Sequence, residues 1–577
     1  MGNLNNSKNT FYHLGEYTVQ VDETIDELLR ENIIEKIWSK DFRVWDNNPD
    51  EIINRLGWLE SPEIMQGRLN EINNFLEDVK KLNIKKVLLL GMGGSSLAPE
   101  VFSKTFRISE GYLDVAILDS TNPDIINYYS KNLKPDDTLY IVSTKSGSTV
   151  ETVSFMKYFY NLVEKQLGKS SVSSHFVAIT DPGSGLEKVA NELRFRKIFL
   201  NDPNIGGRYS ALSFFGLVPA ALLGVNLHLL LERANEVKNE SKVAVKEQIF
   251  RNRSAVLGCI IGQMAVKGKD KLSLILSPGL KSFGAWIEQL IAESTGKNGK
   301  GILPIDSEDI LDPVYYSNDR IFIFIRLKDD NSQNDLVIRL KSSGHPLIEI
   351  VLNDLYDLGG EFFKWEYATA VAGWKLGIHP FNQPDVESAK IQAKNMIKTF
   401  KEIGKIPELG VSYKQGNIEV YESENVNSLH DVLNNFLNIS EGAGINGRYN
   451  YVALQAYIPP TEENIMALSN LKLRILKKYK IATTIGFGPR FLHSTGQLHK
   501  GDSGNGIFIQ LLSKTVNDIP VPDETGFSKS SISFGVLINS QALGDRKALI
   551  TNSRKVLTIG LGDKVVESIY TLAELLK

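Results

Sequence analysis

Six hydroxyl side chains crowd ten residues of this chain, Ser143-Thr144-Lys145-Ser146-Gly147-Ser148-Thr149-Val150-Glu151-Thr152. The run follows a stretch that reads as a buried strand and opens one that reads as a helix. Serine and threonine donate hydrogen bonds, a glycine lets a ligand approach the backbone, and a helix N-terminus adds oriented N–H groups. Together they make a cradle for a phosphate dianion without a cluster of Lys and Arg. A plain Ser/Thr-rich turn, with one hydroxyl capping the helix, accounts for one or two of these residues but not for all. An earlier turn, Gly91-Met92-Gly93-Gly94-Ser95-Ser96, is more ambiguous. Gly91, Gly93 and Ser96 nearly match G-x-G-x-x-G, and Asp119 stands 23 residues after Ser96, near the place of a ribose-binding acid. Small residues at a helix N-terminus suit any phosphorylated ligand. By itself this turn leaves a dinucleotide, a sugar phosphate and a merely tight turn open.

Three later segments narrow the choice: Ile205-Gly206-Gly207-Arg208-Tyr209-Ser210, then Gln289 to Lys297 (QLIAESTGK), then Phe381 to Lys390 (FNQPDVESAK). With GMGGS at Gly91 to Ser95 and SGSTVET at Ser146 to Thr152, they stand in the order of five signatures of the phosphoglucose isomerase family. The chain resembles that family over roughly residues 80 to 395. The resemblance implies reversible isomerisation of glucose 6-phosphate and fructose 6-phosphate through a cis-enediol, with neither metal nor nucleotide as cofactor. Such a reaction needs a base that moves a proton between C2 and C1. Glu293, one helical turn beyond Gln289, is that base by resemblance. Arg208 would stabilise the enediolate charge, since a guanidinium is always protonated and carries a rigid fork of donors. Lys390 matches the lysine that helps open the sugar ring, and its spacing from Gln383 predicts a place about two turns into a helix. Gly94, Ser95, Ser146, Ser148, Thr149, Thr152, Gln289 and Gln383 are the expected substrate-binding residues.

The family also uses a histidine for ring opening, and here the sequence departs from the pattern. The interval where it should lie contains only His345 and His379, in contexts that do not match. The richer cluster is His493 and His499 (RFLHSTGQLHKG, Arg490 to Gly501), in a C-terminal extension. That extension resembles the isomerase half of fused transaldolase/phosphoglucose isomerase proteins. Glu151 resembles the carboxylate that orients the histidine. This suggests that such a histidine exists: His493 is taken first, with His499 as supporting residue or alternative, and His345 behind them, as the ring-opening group. In the family this histidine comes from the neighbouring subunit, so a homodimer that donates the C-terminal loop is expected.

The surrounding elements are those of an α/β protein. Val87 to Leu90, Val115 to Leu118, Leu139 to Ser143 and Phe176 to Thr180 read as buried strands separated by helices, the pattern of a doubly wound domain. A helix pair covers the apolar segment Leu212 to Leu231. A second unit has strands at Leu272 to Leu276, Ile321 to Leu327 and Leu347 to Leu352, with helices from about Gly360 to Leu376 and from Val386. Strands at Tyr451 to Ile458, Ile481 to Phe487 and Gly506 to Leu512 suggest a third. The division predicted is a helical N-terminal segment (1–80), two sugar-isomerase domains with mainly parallel sheets (81–235 and 236–400), and a C-terminal α/β extension (415–577). Within the first segment, Thr24 to Trp38 and Ile64 to Leu82 repeat apolar residues at helical spacing.

With 577 residues the chain exceeds one core at ~150 residues per domain. Its 65 Lys and Arg against 68 Asp and Glu leave a net charge of -3, which creates no global field for nucleic acid or a membrane surface. The single cysteine, Cys259, excludes an intrachain disulfide and a cysteine zinc cluster. Met1 to Asn9 is polar with no apolar segment of a secretory signal, so a cytoplasmic location is expected. Two alternatives remain beside the isomerase: a dual phosphoglucose/phosphomannose isomerase, which Thr295 after Ser294 keeps in view, and a non-catalytic sugar-phosphate-binding regulator. A regulator has no use for a base, which sets Glu293, Arg208 and Lys390 against it.

Overall fold

The computed structural model describes residues 9–309, 311–423, 427–438 and 451–577. The polar start of the chain, up to Lys8, lies outside them. The described chain begins with a short strand, β1 (Thr10–His13), and helices Thr18–Arg30, Ile33–Trp38, Ser61–Gly67 and Leu69–Lys80. The periodicity of Thr24 to Trp38 belongs to two helices rather than one, because Asn32 breaks the run in a left-handed conformation (φ 52°). Apolar stripes such as Val21, Ile25 and Leu28, and Ile72, Phe75 and Val79, enter the same core as the two sheets that follow.

The first sheet is wholly parallel, in the order β3-β2-β4-β5-β6, with β2 (Lys86–Gly91), β3 (Asp114–Leu118), β4 (Thr138–Ser143), β5 (Phe176–Thr180) and β6 (Lys197–Leu200). Val87 to Leu90 have no exposure, as a continuously apolar strand covered on both faces requires. Strand order reverses between β2 and β4, so their carboxyl ends frame the crevice where ligands bind in open α/β sheets. The two small-residue turns leave from those two ends.

Helices Phe214–Leu223 and Leu227–Glu240 lead to the second sheet, β7 (Lys271–Leu276), β8 (Leu303–Ile305), β9 (Arg320–Leu327) and β10 (Leu347–Leu352). Its order is β1-β10-β9-β7-β8, parallel except for β1, which pairs antiparallel with β10. The N-terminal segment is thus not helical throughout. Four residues give no legible period, and β1 exists because β10 offers it an edge.

After helices Leu358–Leu376 and Val386–Ile403 comes a third sheet, ordered β11-β12-β18-β15-β13-β14. Its strands are β11 (Val411–Gln415), β12 (Ile418–Tyr421), β13 (Tyr451–Tyr457), β14 (Ala482–Phe487), β15 (Gly506–Leu512) and β18 (Lys555–Gly560), with a separate ribbon of β16 (Pro520–Val521) and β17 (Ile532–Ser533). It has its own core around Val452, Leu454, Leu468 and Ile509. Helix Phe534–Thr551 packs elsewhere as well: Phe534 stacks on Phe155 at 6.0 Å and Leu537 joins the core of the first sheet. Among the described residues no helix is long and apolar enough to cross a membrane.

Candidate active site

Helix Val150–Leu167 starts within the hydroxyl-rich run, directly after Thr149, so its free N–H groups face the turn that the sequence marks. Within that turn Ser146 and Ser148 hydroxyls lie 2.8 Å apart, and those of Thr144 and Thr149 3.2 Å apart. The Gly-rich turn after β2 packs backbone against backbone on the Gly-Gly-Arg turn. A Cβ on Gly94 would stand 1.9 Å from the Gly207 carbonyl oxygen. Gly93 is left-handed (φ 55°), and a side chain there would meet the Gln289 amide at 2.9 Å and the His493 carbonyl at 3.1 Å. These close approaches bring four distant segments around one cleft of about 600 Å³.

The cleft is lined by every predicted binding residue (Gly94, Ser95, Ser146, Ser148, Thr149, Thr152, Gln289 and Gln383) and by Arg208, Glu293, Lys390 and His493. Three buried polar atoms of its wall, Thr152 Oγ1, Asp181 Oδ1 and Gln289 Oε1, have no hydrogen-bond partner among the described residues. Buried polar groups are rarely left so unless a ligand or water completes them.

Helix Lys281–Thr295 presents Gln289 and Glu293 on one face, four residues apart. Gln289 Nε2 donates to Glu293 Oε2 (3.1 Å) and to the His493 carbonyl (2.7 Å). Glu293 is 14 % exposed, and its Oε1 lies 3.3 Å from Arg208 Nη1. The guanidinium is held on every side: Nε donates to Ser294 Oγ (2.8 Å), Nη1 to Gln383 Oε1 (2.9 Å), and Nη2 to the carbonyls of Pro380 (2.8 Å) and Asn382 (3.0 Å). A cation fixed this firmly beside a carboxylate suits a charge that develops on a bound oxygen, because nothing need reorganise. Lys390 is the fifth residue of helix Val386–Ile403, little more than one turn in rather than two. It is half-exposed on the rim of the cleft and paired with Glu387 at 2.7 Å.

The histidines separate clearly. His493 ends the short turn Arg490–His493 that follows β14, and its Nε2 meets Glu151 Oε1 at 2.9 Å. Burial pulls the imidazole toward neutrality, but the Glu151 carboxylate outweighs it and the pKa is raised. Burial pushes the Glu151 carboxyl up, yet His493 holds it below its ordinary value. His499 does not line the cleft. It is enclosed by Tyr451, Phe491 and Phe508, and burial, with Lys500 and Arg554 nearby, drives its pKa well down. His345 packs against Phe322, and His379 Nε2 lies 3.1 Å from the Asp50 carbonyl. The expectation that a second subunit must bring the C-terminal loop to the site is corrected: His493 reaches the cleft of its own chain, because the third sheet packs against the other two.

Sequence reading did not single out Arg490, which anchors this loop. It is clasped by Glu100 and by Asp119, 3.0 Å away, on elements that leave the first sheet. Asp119 also accepts from Ser96 Oγ at 3.3 Å, so the residue that hinted at a ribose is occupied as a structural anchor. An arginine in a loop carries no spacing signal that could have shown this. Arg490 also borders a second cavity of about 950 Å³, lined by Glu100, Asp119, Glu288 and Asp306, which holds none of the predicted site residues. Among the described residues no group of three or more His, Cys, Asp or Glu could hold a metal ion.

The profile of the phosphoglucose isomerase family matches residues 70–305. The glucose-6-phosphate isomerase of Staphylococcus saprophyticus is 29 % identical over 385 residues, covering 58 % of this chain and 85 % of the relative. That of Methanocaldococcus jannaschii is 29 % identical over 362 residues, 56 % of this chain and 87 % of the relative. The crystal structure of a glucose-6-phosphate isomerase from Chlamydia trachomatis shares the fold, with a TM-score of 0.57 at 18 % identity over 68 % of this chain and 89 % of that one. A hypothetical protein of Thermus thermophilus superposes equally well, with a TM-score of 0.57 at 21 % identity over 67 % of this chain and 99 % of that one. By the profile match over residues 70–305 and by relatives aligned over most of their own length, the chain is similar to the phosphoglucose isomerase family.

Proposed function

We propose that this chain is a glucose-6-phosphate isomerase, acting in glycolysis and gluconeogenesis through the cleft described above. The observation that carries the reading is the meeting of a carboxylate, a fixed guanidinium, a histidine–carboxylate pair and a hydroxyl-rich helix N-terminus in one cleft. The phosphate sits at the N-terminus of helix Val150–Leu167, held by Ser146, Ser148, Thr149 and Thr152. His493, with Lys390 at the rim, moves the proton that opens the sugar ring. Glu293 then takes the C2 proton and returns it to C1, while Arg208 stabilises the enediolate oxygens. The sequence reading adds a cytoplasmic setting and four domains, and the family resemblance adds a homodimer. Glu293→Gln tests the assignment: turnover should fall by ~10²–10⁴-fold or more while fructose 6-phosphate still binds. A variant that keeps more than about half its activity takes Glu293 out of the role.

A further inference from the structure

We propose that Gln541, on helix Phe534–Thr551 of the C-terminal unit, is a positioning residue for the Glu151–His493 pair, with its amide oriented by Thr121. The inference rests on the ring-opening role given to His493 above.

Gln541 Nε2 donates to Glu151 Oε1 at 2.6 Å, the same oxygen that meets His493 Nε2. The far end of the amide is fixed as well, since Thr121 Oγ1 donates to Gln541 Oε1 at 3.0 Å. Thr121, Glu151 and Gln541 are all buried, at 0 %, 3 % and 4 % exposure. Three separate elements therefore contribute to one buried chain of polar groups: the turn after β3, the first turn of helix Val150–Leu167, and helix Phe534–Thr551.

The chemistry allows one arrangement of this chain. An amide turned the other way would set its oxygen against the ionised carboxylate, a repulsion that the Thr121 hydroxyl, which can accept an N–H as well as donate, would not offset. A buried carboxylate stays ionised only when donors replace the water it has lost. Gln541 supplies one such donor without charge, so it steadies Glu151 without competing with His493 for the role of cation. With Nε2 committed to Glu151, Nδ1 is the nitrogen of His493 left to exchange a proton with a ligand. Packing alone does not call for a glutamine here. Phe534 and Leu537 already join this helix to the first sheet through apolar contact, and a leucine would fill the place without a polar group to satisfy.

The test uses the full-length chain and the variants Gln541→Leu, Thr121→Val, Thr121→Ser and His493→Asn. Three things are measured: kcat and KM on ring-closed fructose 6-phosphate across pH, the NMR titration of His493, and the melting temperature. Partners that orient a reacting histidine typically matter ~10–100-fold, so Gln541→Leu should lose that much kcat with little change in KM. Its His493 midpoint should fall by about half a pH unit or more, the worth of one hydrogen bond to the carboxylate that supports the imidazolium. Thr121→Ser should match the unaltered protein and Thr121→Val should lie between it and Gln541→Leu. Adding Gln541→Leu to His493→Asn should cost little more, since both act through one group. If His493→Asn loses activity but Gln541→Leu leaves kcat and the titration unchanged, the positioning role is wrong and the site reading stands. If His493→Asn leaves kcat unchanged, the site reading itself fails. Should Gln541→Leu not fold, the Thr121 pair decides: equal kcat and equal titration in Thr121→Val and Thr121→Ser overturn the proposal.

Discussion

In the proposed reaction Glu293 and His493 divide between them two proton transfers at different atoms of the substrate, and their surroundings differ accordingly. Glu293 faces the cleft beside Arg208, whereas His493 is backed by a buried carboxylate that raises its pKa. His493→Ala should therefore lose activity on ring-closed fructose 6-phosphate far more than on an open-chain analogue, and His499→Ala should do so on neither. Equal, small effects of both on both substrates would remove His493 from ring opening. The pair has a pH window for stability too. His493, with its pKa raised by folding, contributes below its ordinary value, and that contribution is lost as pH rises through the raised one. Glu151, held low, contributes above its ordinary value until pH falls through the lowered one. The proposed phosphate cradle is separate from both proposed proton carriers. Ser148→Ala with Thr149→Ala should raise KM roughly 30-fold, at about 1 kcal/mol for each of the two hydrogen bonds lost, with kcat little changed. An unchanged KM would mean that the phosphate sits elsewhere.

Helix Lys281–Thr295 serves two cavities from two faces. Gln289 and Glu293 line the cleft, and Glu288, about 100° round the helix, faces the second cavity beside Asp306. Burial and then the Asp306 charge push the Glu288 carboxyl up to about 8. A carboxyl raised by folding costs stability as pH climbs above its ordinary value, and the cost levels off near the raised one. At ~1.4 kcal/mol per pH unit the full cost is about 5 kcal/mol at most. Glu288→Gln should therefore raise the melting temperature at pH 8 to 9 and change it little near pH 4.5. A difference that does not grow with pH would show that Glu288 is not held neutral. The loop Arg490–His493 shows the same economy: one end is clasped to Glu100 and Asp119, the other presents the imidazole.

At the scale of the whole molecule, the third sheet supplies a side chain that the first two lack, and it does so within one chain. Activity per chain should then stay constant on dilution through any dissociation of the proposed homodimer, followed by light scattering with a parallel coupled assay. Loss of activity in step with dissociation would show that a neighbour completes the site after all. The strands around the cleft were legible in the sequence because parallel strands buried on both faces are unbroken apolar runs, as at Val87 to Leu90. Their turns were legible because close backbone approach admits only small residues, as Gly94 against Gly207 shows. Glu293, Arg208 and the cradle stand in local segments whose residue types already state their chemistry. The rest was settled by packing between segments far apart in sequence. Composition does not reveal that β1 would find the edge of β10, or that Asp119 would hold an arginine rather than a ribose. The choice between His493 and His499 was likewise undecided by spacing, since six residues separate them in one turn-rich segment. Only the docking of the third sheet, which faces one of them with Glu151 and closes the other among aromatic rings, makes them chemically different.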